Sequence, residues 1–528
     1  MKLEIFGNVR SSADQGAVCL VSKEWYRLMK PQVWRSFTTN LTGRFVSNLH
    51  TPSKEQKACL QLIRALNIEG SRAQAGSDSS LSELLNGLRD DQLLEFNGAT
   101  DAPLHARQFL ALLRQQTNLN CLGVRLDWDV GSVALEEVAS WASESTPLLA
   151  SSLRRLKTLR VYVGDSHSPG EHTQTLHKYE LAYNHALLAA ASRINRLEVI
   201  GWRWNNMPRN QRVRPADPIE NAVCSDQFPQ TLEHLVIANL DFAKAGDGIV
   251  RALNLDVLSV LRLDYCDRLG VFLHALAAAF RQRTATPLKA LTIRTSRIHK
   301  AEENYCALAA MRDLLASFGG LVELECSFFW AAFVDWTSSL HRHPGLKQLH
   351  ISSNSMRDNA SDYSSTLTEI LSHCHGLRFL AYQPPTPCFD SIETCEIPIK
   401  LHSRLLQSLD AVSTAPNLFM LRLLYAPGIG EDKINRLDKT WLAKAAQVAQ
   451  SLATLIFKHL SFRGSNIRLI ALSAESRWRH NTGVSDCHLY PHYFYKIKST
   501  DPAGQKAVSA ISFQELATEY PEFAYGQY

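Results

Sequence analysis

The chain has 528 residues, more than a single compact core ordinarily holds, so several domains or a repeat array are expected. Hydrophobic residues make up 45% and charged residues 20%, the balance of a folded soluble protein. With 56 Lys and Arg against 51 Asp and Glu, the net charge of +5 is too even for a general nucleic-acid binder.

Met1-Lys2-Leu3-Glu4-Ile5 is followed by no apolar h-region, so no secretory signal is expected. From Asp14 to Phe37 the chain reads DQGAVCLVSKEWYRLMKPQVWRSF. Val18, Val21, Trp25 and Leu28 mark an amphipathic helix, which Pro31 should break before Trp34 begins a second turn. The same residues resemble the F-box. Glu4-Ile5-Phe6, Asp14, Leu20-Val21-Ser22-Lys23-Glu24-Trp25 and Pro31-Gln32-Val33-Trp34-Arg35 follow its E-I, L-V-(C/S)-K-x-W and P-x-L-(W/Y)-R phrases. Met1-Lys2 stands where that motif has Leu-Pro.

An F-box leading into irregular leucine-rich repeats is similar to a large group of fungal F-box proteins. The phrase Asp91-Gln92-Leu93-Leu94-Glu95-Phe96, the helix Phe109 to Gln115 and Asn118-Leu119 look like that group's early repeats. The resemblance implies a substrate receptor of a cullin-type, SCF-like ubiquitin ligase. Its F-box would dock on a Skp-type adaptor and its repeats would select a protein target. On that reading Ile5, Val9, Val18, Leu20, Val21 and Trp34 meet the adaptor, and Trp25 anchors the module itself. Without the resemblance, residues 1–36 are a helix pair capping an array.

A phrase of the form L-x-x-L-x-(apolar) then recurs. Clear copies are Leu156-Leu159-Val161, Leu232-Leu235-Ile237, Leu258-Leu261-Leu263, Leu288-Leu291-Ile293, Leu346-Leu349-Ile351 and Leu418-Leu421-Leu423. Weaker ones are Leu119-Leu122-Val124, Leu197-Val199, Leu321-Leu324-Cys326, Leu377-Leu380-Tyr382 and Leu452-Leu455-Phe457. Alternation at the last three positions predicts strands with one buried face. Between them the period is helical: Leu269, Phe272, Leu273, Leu276 and Phe280; Leu367, Ile370, Leu371 and Cys374; Ile434, Leu437, Trp441, Ala445 and Val448. Gly319-Gly320, Pro344-Gly345, Gly376 and Pro416-Asn417 stop helices before strands.

The unit is helix, stop, strand. The expected fold is therefore α/β: a right-handed leucine-rich-repeat solenoid, a horseshoe with strands on its concave side. A doubly wound α/β domain would instead carry helices on both sheet faces. Glu69 to Ser80, Gly164 to Thr175, Asn205 to Pro218 and Gln383 to Pro398 are expected as long loops. The array should run over residues 37–479, with a cap over 480–528. In that cap His492 to Lys498 and Ala507 to Ile511 form a hairpin, and Ser512 with Glu515 opens a helix.

Chemistry is sought without success. No P-loop, dinucleotide fingerprint, G-x-S-x-G elbow or H-E-x-x-H helix occurs, so no catalytic residue, metal or cofactor is expected. Eleven cysteines without a CxxC pair point to reduced thiols and a cytoplasmic or nuclear protein. His373-Cys374-His375 and Cys487-His488 with His492 are weak as metal sets. The most apolar stretch, Leu269 to Phe280, is broken by His274 and too short for a bilayer, so no membrane partner is expected. Arg160, Arg262 and Arg422 fall between the apolar positions of their strands, and Arg125 and Arg294 follow the last one. Together they suggest a concave face suited to an acidic or phosphorylated protein target. The alternative function is a leucine-rich-repeat scaffold with no ligase role.

Overall fold

The computed structural model describes residues 22–40, 53–69, 77–98, 104–124, 126–127, 147–163, 187–188, 190–191, 193–201, 229–242, 246–295, 301–328, 336–353, 363–384, 400–426, 439–474, 493–500 and 506–524. The chain divides into two compact units, Met1–Trp204 with Pro208–Leu258 and Asn205–Met207 with Ser259–Tyr528.

The first unit opens on α1 (Lys23–Val33), capped by the Ser22 hydroxyl, which accepts the Trp25 N–H at 3.1 Å. The helix passes through Pro31, which corrects the expected break. Proline removes one backbone donor near the end of the helix, and the Trp34 N–H still reaches the Lys30 carbonyl at 3.1 Å and closes the last turn. Strands β1 (Ser36–Asn40), β2 (Ala65–Glu69) and β3 (Glu95–Asn97) follow, then a two-residue pair, β4 (Leu104–His105) with β6 (Leu126–Asp127). The ladder continues with β5 (Cys121–Val124), β7 (Thr158–Val163), β8 (Arg196–Gly201) and β9 (His234–Ala238). All these pairings are parallel, and apart from the separate β4–β6 pair the strands lie in chain order in one sheet. The intervening helices include α2 (Lys54–Leu60), α3 (Ser77–Asn86) and α4 (Ala106–Gln115), and α5 (Gly246–Ala252) follows β9. Ser77 to Ser80, expected in a loop, belong to α3.

The second unit repeats the scheme. Its strands are β10 (Val260–Asp264), β11 (Ala290–Arg294), β12 (Glu323–Phe328), β13 (Gln348–Ser353), β14 (Phe379–Tyr382), β15 (Met420–Ala426) and β16 (Leu469–Ala474), all parallel. Between them run α6 (Leu269–Arg281), α7 (Ala301–Ser317), a 3-10 helix (Thr337–Arg342), α8 (Tyr363–His373), α9 (Ser403–Ser413) and α10 (Lys439–Phe462). Leu269, Phe272, Leu273, Leu276 and Phe280 form the buried stripe of α6, as their spacing predicts. Gly320 turns the chain at φ +91° before β12, a conformation that favours glycine. Leu452-Leu455-Phe457 is not a strand. It lies inside α10, where Leu452, Ile456, Phe457 and Leu460 are buried on a helical period and no stop residue intervenes before Gly464.

One backbone device fixes the register in both units. The carbonyl just before a strand accepts two successive N–H groups leading into the next strand. Arg35 accepts from Arg64 and Ala65 at 2.8 and 2.9 Å, and Asn120 from Lys157 and Thr158 at 2.9 and 3.0 Å. Lys289 accepts from Val322 and Glu323 at 2.8 and 3.0 Å, and Phe419 from Arg468 and Leu469 at 2.8 and 3.1 Å. Because this staple sets the alignment, the connecting segment can vary in length without a slip that would turn the apolar face outward.

After β16 the ladder reverses. β17 (Tyr493–Thr500) and β18 (Lys506–Ile511) add antiparallel, and α11 (Phe513–Glu519) and α12 (Pro521–Ala524) follow. The capping box forms: the Ser512 N–H donates to Glu515 Oε2 at 2.7 Å, and the Glu515 N–H to Ser512 Oγ at 3.1 Å. Ser512→Ala is expected to cost about 1 kcal/mol, read as a lower denaturation midpoint. An unchanged midpoint would show that α11 is held by packing alone. Phe494 and Tyr495, successive on β17 and so on opposite faces, are both buried. Phe494 joins Phe379, Ala381, Met420, Leu424, Leu469, Ala471, Ile511, Leu516 and Phe523 in one apolar cluster. This segment therefore extends the sheet edge and also lies across a sheet face. No described helix is long and apolar enough to cross a membrane.

Candidate functional site

Alternation places one row of side chains on the sheet face opposite the buried leucines. In the first unit Leu159 and Val161 are buried, and Arg160 between them lies in register with Gly123 and Glu198. Arg160 Nε donates to Glu198 Oε2 at 2.6 Å, and Arg196 Nε donates to Oε1 at 2.9 Å. Arg160 Nη1 also reaches Asn97 Oδ1 at 3.4 Å, and Asn97 Nδ2 donates to Asn67 at 2.8 Å. A Cβ at position 123 would stand 2.7 Å from Asn97 Oδ1, so glycine makes room for this bridge. Burial alone would raise the Glu198 carboxyl. Hydrogen bonding and charge from Arg160, then Arg196, outweigh it and hold the group below its ordinary range.

In the second unit the row runs Arg262, Thr292, Glu325, His350, Ala381, Arg422, Ala471. Two positions on lie Asp264, Arg294, Ser327 and Ser352. Arg294 grips Glu325 with both prongs, Nε to Oε1 at 2.8 Å and Nη2 to Oε2 at 2.9 Å. Arg262 Nε holds Asp264 Oδ2 at 2.6 Å, and Arg294 Nη1 stands 3.6 Å from Asp264 Oδ1. His350 Nδ1 lies 3.6 Å from Glu325. Burial would raise the Glu325 carboxyl, but His350 and Arg294 pull it down to about 2. Such a carboxylate carries no proton near neutrality and cannot act as a general acid there.

The expected basic strip is therefore ion-paired. Arg160 spends a donor on Glu198 in its own row, and Arg262 and Arg294 spend donors on carboxylates of the neighbouring row, Asp264 and Glu325. Arg422 needs a stronger correction: it is only 6% exposed and its Nε donates to Ser473 Oγ at 2.9 Å. It sits between Ala381 and Ala471, both in the apolar cluster that the last helices cover. Strand phase already sets Asp264 and Glu325 against the basic trend of this face, and Asp264 pairs with Arg262 inside one strand, but pairing Glu198 and Glu325 with their arginines needs the register between repeats. Arg125, Ile5, Val9, Val18, Leu20 and Val21 lie outside the described residues. Trp34 ends α1 with its ring stacked on Phe37 at 5.2 Å. Met29, four residues after Trp25, is the described α1 residue that is fully buried; its helical spacing from Trp25 is the signal that could have found it.

Among the described residues no group of three His, Cys, Asp or Glu side chains could hold a metal ion. Cys374 is buried, and burial pushes its thiol up to about 12, far from a reactive thiolate. Cys487, His488 and His492 lie outside the described residues.

These features define a mixed α/β repeat architecture, with a long run of parallel strands and a polar, ion-paired row on one face. No family model matches the chain, and no curated protein matches it. Among solved structures it is similar to the leucine-rich repeat-containing protein LegL7 from Legionella pneumophila. The identity is 11% over 83% of this chain and 91% of that chain, with a TM-score of 0.29.

Proposed function

We propose that the chain is a non-catalytic, protein-binding leucine-rich-repeat scaffold that serves as the substrate receptor of a cullin-type ubiquitin ligase. The observation that carries the scaffold reading is the ordered polar row opposite the buried leucines, seen in each unit. Its guanidinium and carboxylate groups are held rigidly by ion pairs across strands, which lowers the ordering cost of meeting a partner. An acidic or phosphorylated side chain of a protein target would compete with Glu198, Asp264 and Glu325 for these guanidinium groups. The locked carboxylates favour binding over catalysis.

The ligase reading rests on the resemblance of Leu20 to Trp25 and Pro31 to Arg35 to the F-box. In its support, α1 buries Met29 fully but leaves Trp25, Leu28, Val33 and Trp34 part-exposed. The partners are then a Skp-type adaptor and through it a cullin, in the cytoplasm or nucleus. Burying one Leu or Val is worth roughly 1.5–3 kcal/mol. Leu20→Asp with Val21→Asp is therefore expected to abolish a micromolar adaptor contact in a titration, with circular dichroism unchanged. If the unaltered chain fails to bind adaptor at about ten times that concentration, the ligase reading falls and the scaffold without ligase role replaces it.

A further inference from the structure

The last described turn is bound as a ligand would be. Tyr520, at φ −139° and ψ 62°, breaks the helix between α11 and α12, so Pro521 to Ala524 is a separate turn joined by a non-helical residue. Phe523 is 2% exposed. Its ring stacks on Phe419 at 5.6 Å and 13°, meets Phe379 at 6.3 Å, and lies under the Arg378 guanidinium at 5.5 Å. Arg378 Nη2 also reaches Glu522 Oε1 at 3.3 Å, and Gln348 Nε2 donates to the Glu522 carbonyl at 3.2 Å. The Tyr520 ring adds a contact with Phe419 at 5.5 Å.

The receiving residues come from the starts of three successive parallel strands, β13, β14 and β15. They read both chemistries of the bound pair. An aromatic slot takes the ring, and one arginine serves the ring face and the preceding carboxylate together. The helix before it has an anchor of its own, Leu516, which is fully buried in the same apolar cluster as Phe523. Release at Tyr520 would thus free the Glu522-Phe523 pair without unseating α11. The Arg378–Glu522 pair is about half exposed on both sides and weak as a permanent tie.

We propose that this patch is a docking surface for a peptide of a partner protein carrying an aromatic residue directly preceded by a carboxylate, and that the chain's own Glu522-Phe523 occupies it in cis. The proposal rests on the protein-binding reading above and names one partner chemistry for it. A tethered segment competes at roughly millimolar effective concentration, so the partner must displace it.

The probe is a fluorescent peptide of sequence Tyr-Pro-Glu-Phe-Ala-Tyr-Gly, titrated against the full chain and against the full-length variant Glu522→Lys with Phe523→Ala. The variant is expected to bind the peptide at least about tenfold more tightly than the unaltered chain, because the competitor is gone. Adding Arg378→Glu to that variant should abolish binding, and a peptide with Lys in place of its Glu should restore it. A bare cap would show no such charge swap. No change in anisotropy up to ~1 mM peptide with the folded variant would overturn the proposal. So would tail exchange between copies, seen as a concentration-dependent dimer by light scattering. Should the variant not fold, hydrogen exchange on the unaltered chain decides. Amides of 520 and 522–524 exchanging faster than those of β14 support release, and exchange in step with β14 overturns it. The adaptor titration alters Leu20 and Val21, neither of them a residue of this patch, so failure there and failure here are separate results.

Discussion

Replacing Arg294 with methionine is expected to lower the stability of the second unit by about 3 kcal/mol. The substitution removes the bidentate partner of Glu325 and a cation 3.6 Å from Asp264 Oδ1, which has no hydrogen bond of its own. Glu325 then keeps His350, at 3.6 Å, and the more distant charge of Arg262. The Arg294 and Glu325 side chains are 21% and 18% exposed, so the lower end of the range for a broken buried pair applies. The double variant Arg294→Met with Glu325→Leu should recover most of the loss, since it deletes both charges together. Urea denaturation of the four proteins of the cycle provides the measurement. A single-variant cost under about 1 kcal/mol would place the pair among ordinary surface ion pairs.

Acid makes the same point independently. Glu325 sits at about 2 against its ordinary 4.5, so its contribution is fully present above pH 4.5 and is lost as pH falls toward 2. The charge reversals Arg262→Glu and Arg294→Glu, natural first tests of target binding, would therefore report stability before they report binding.

Much of the ladder was legible because it depends on periodicity. Leu258-Leu261-Leu263 and Leu288-Leu291-Ile293 alternate between glycine, proline and helical signals, and β10 and β11 form there. Leu452-Leu455-Phe457 matched the phrase by coincidence, because leucines three apart also lie on one helix face. β1 and β2 carry weaker phrases, with Phe37 and Leu66 at their second positions, and they pass unnoticed among polar neighbours. The site was half legible. Arg160, Arg262 and Arg294 could be placed from strand phase alone. Asp264 stands two residues from Arg262 on the same strand, whereas the partners of Arg160 and Arg294 stand thirty-eight and thirty-one residues away and come within hydrogen-bond reach only through the inter-strand register. The segment at Glu522-Phe523 gave no signal, since its slot is built from three separate repeats.

Acidification from pH 6.5 to 4 is expected to cost the second unit about 3 kcal/mol through His343 alone. Its ring is fully buried between the end of α7 and the start of β12. Nδ1 accepts the Leu321 N–H at 3.2 Å, Nε2 faces the Leu315 carbonyl at 3.1 Å, and Phe318 packs edge-on at 5.1 Å. The neutral ring with its proton on Nε2 satisfies both backbone groups. A second proton on Nδ1 would face the Leu321 N–H and break that bond. Burial is the main reason the group is lowered to about 4, with His341 and Arg342 adding to it against the Leu315 hydrogen bond. Because the folded state binds the proton later than the unfolded chain, the contribution is whole above pH 6.5 and gone by pH 4. His343→Ala should cost at least about 3 kcal/mol at pH 7.5, since it opens a cavity and leaves the Leu321 N–H and Leu315 carbonyl without partners. It should also flatten the stability profile between pH 6.5 and 4, leaving the fall below pH 4.5 to which Glu325 contributes. Denaturant midpoints for both proteins across that range test the assignment, and a slope that persists in the variant would transfer the effect to another group.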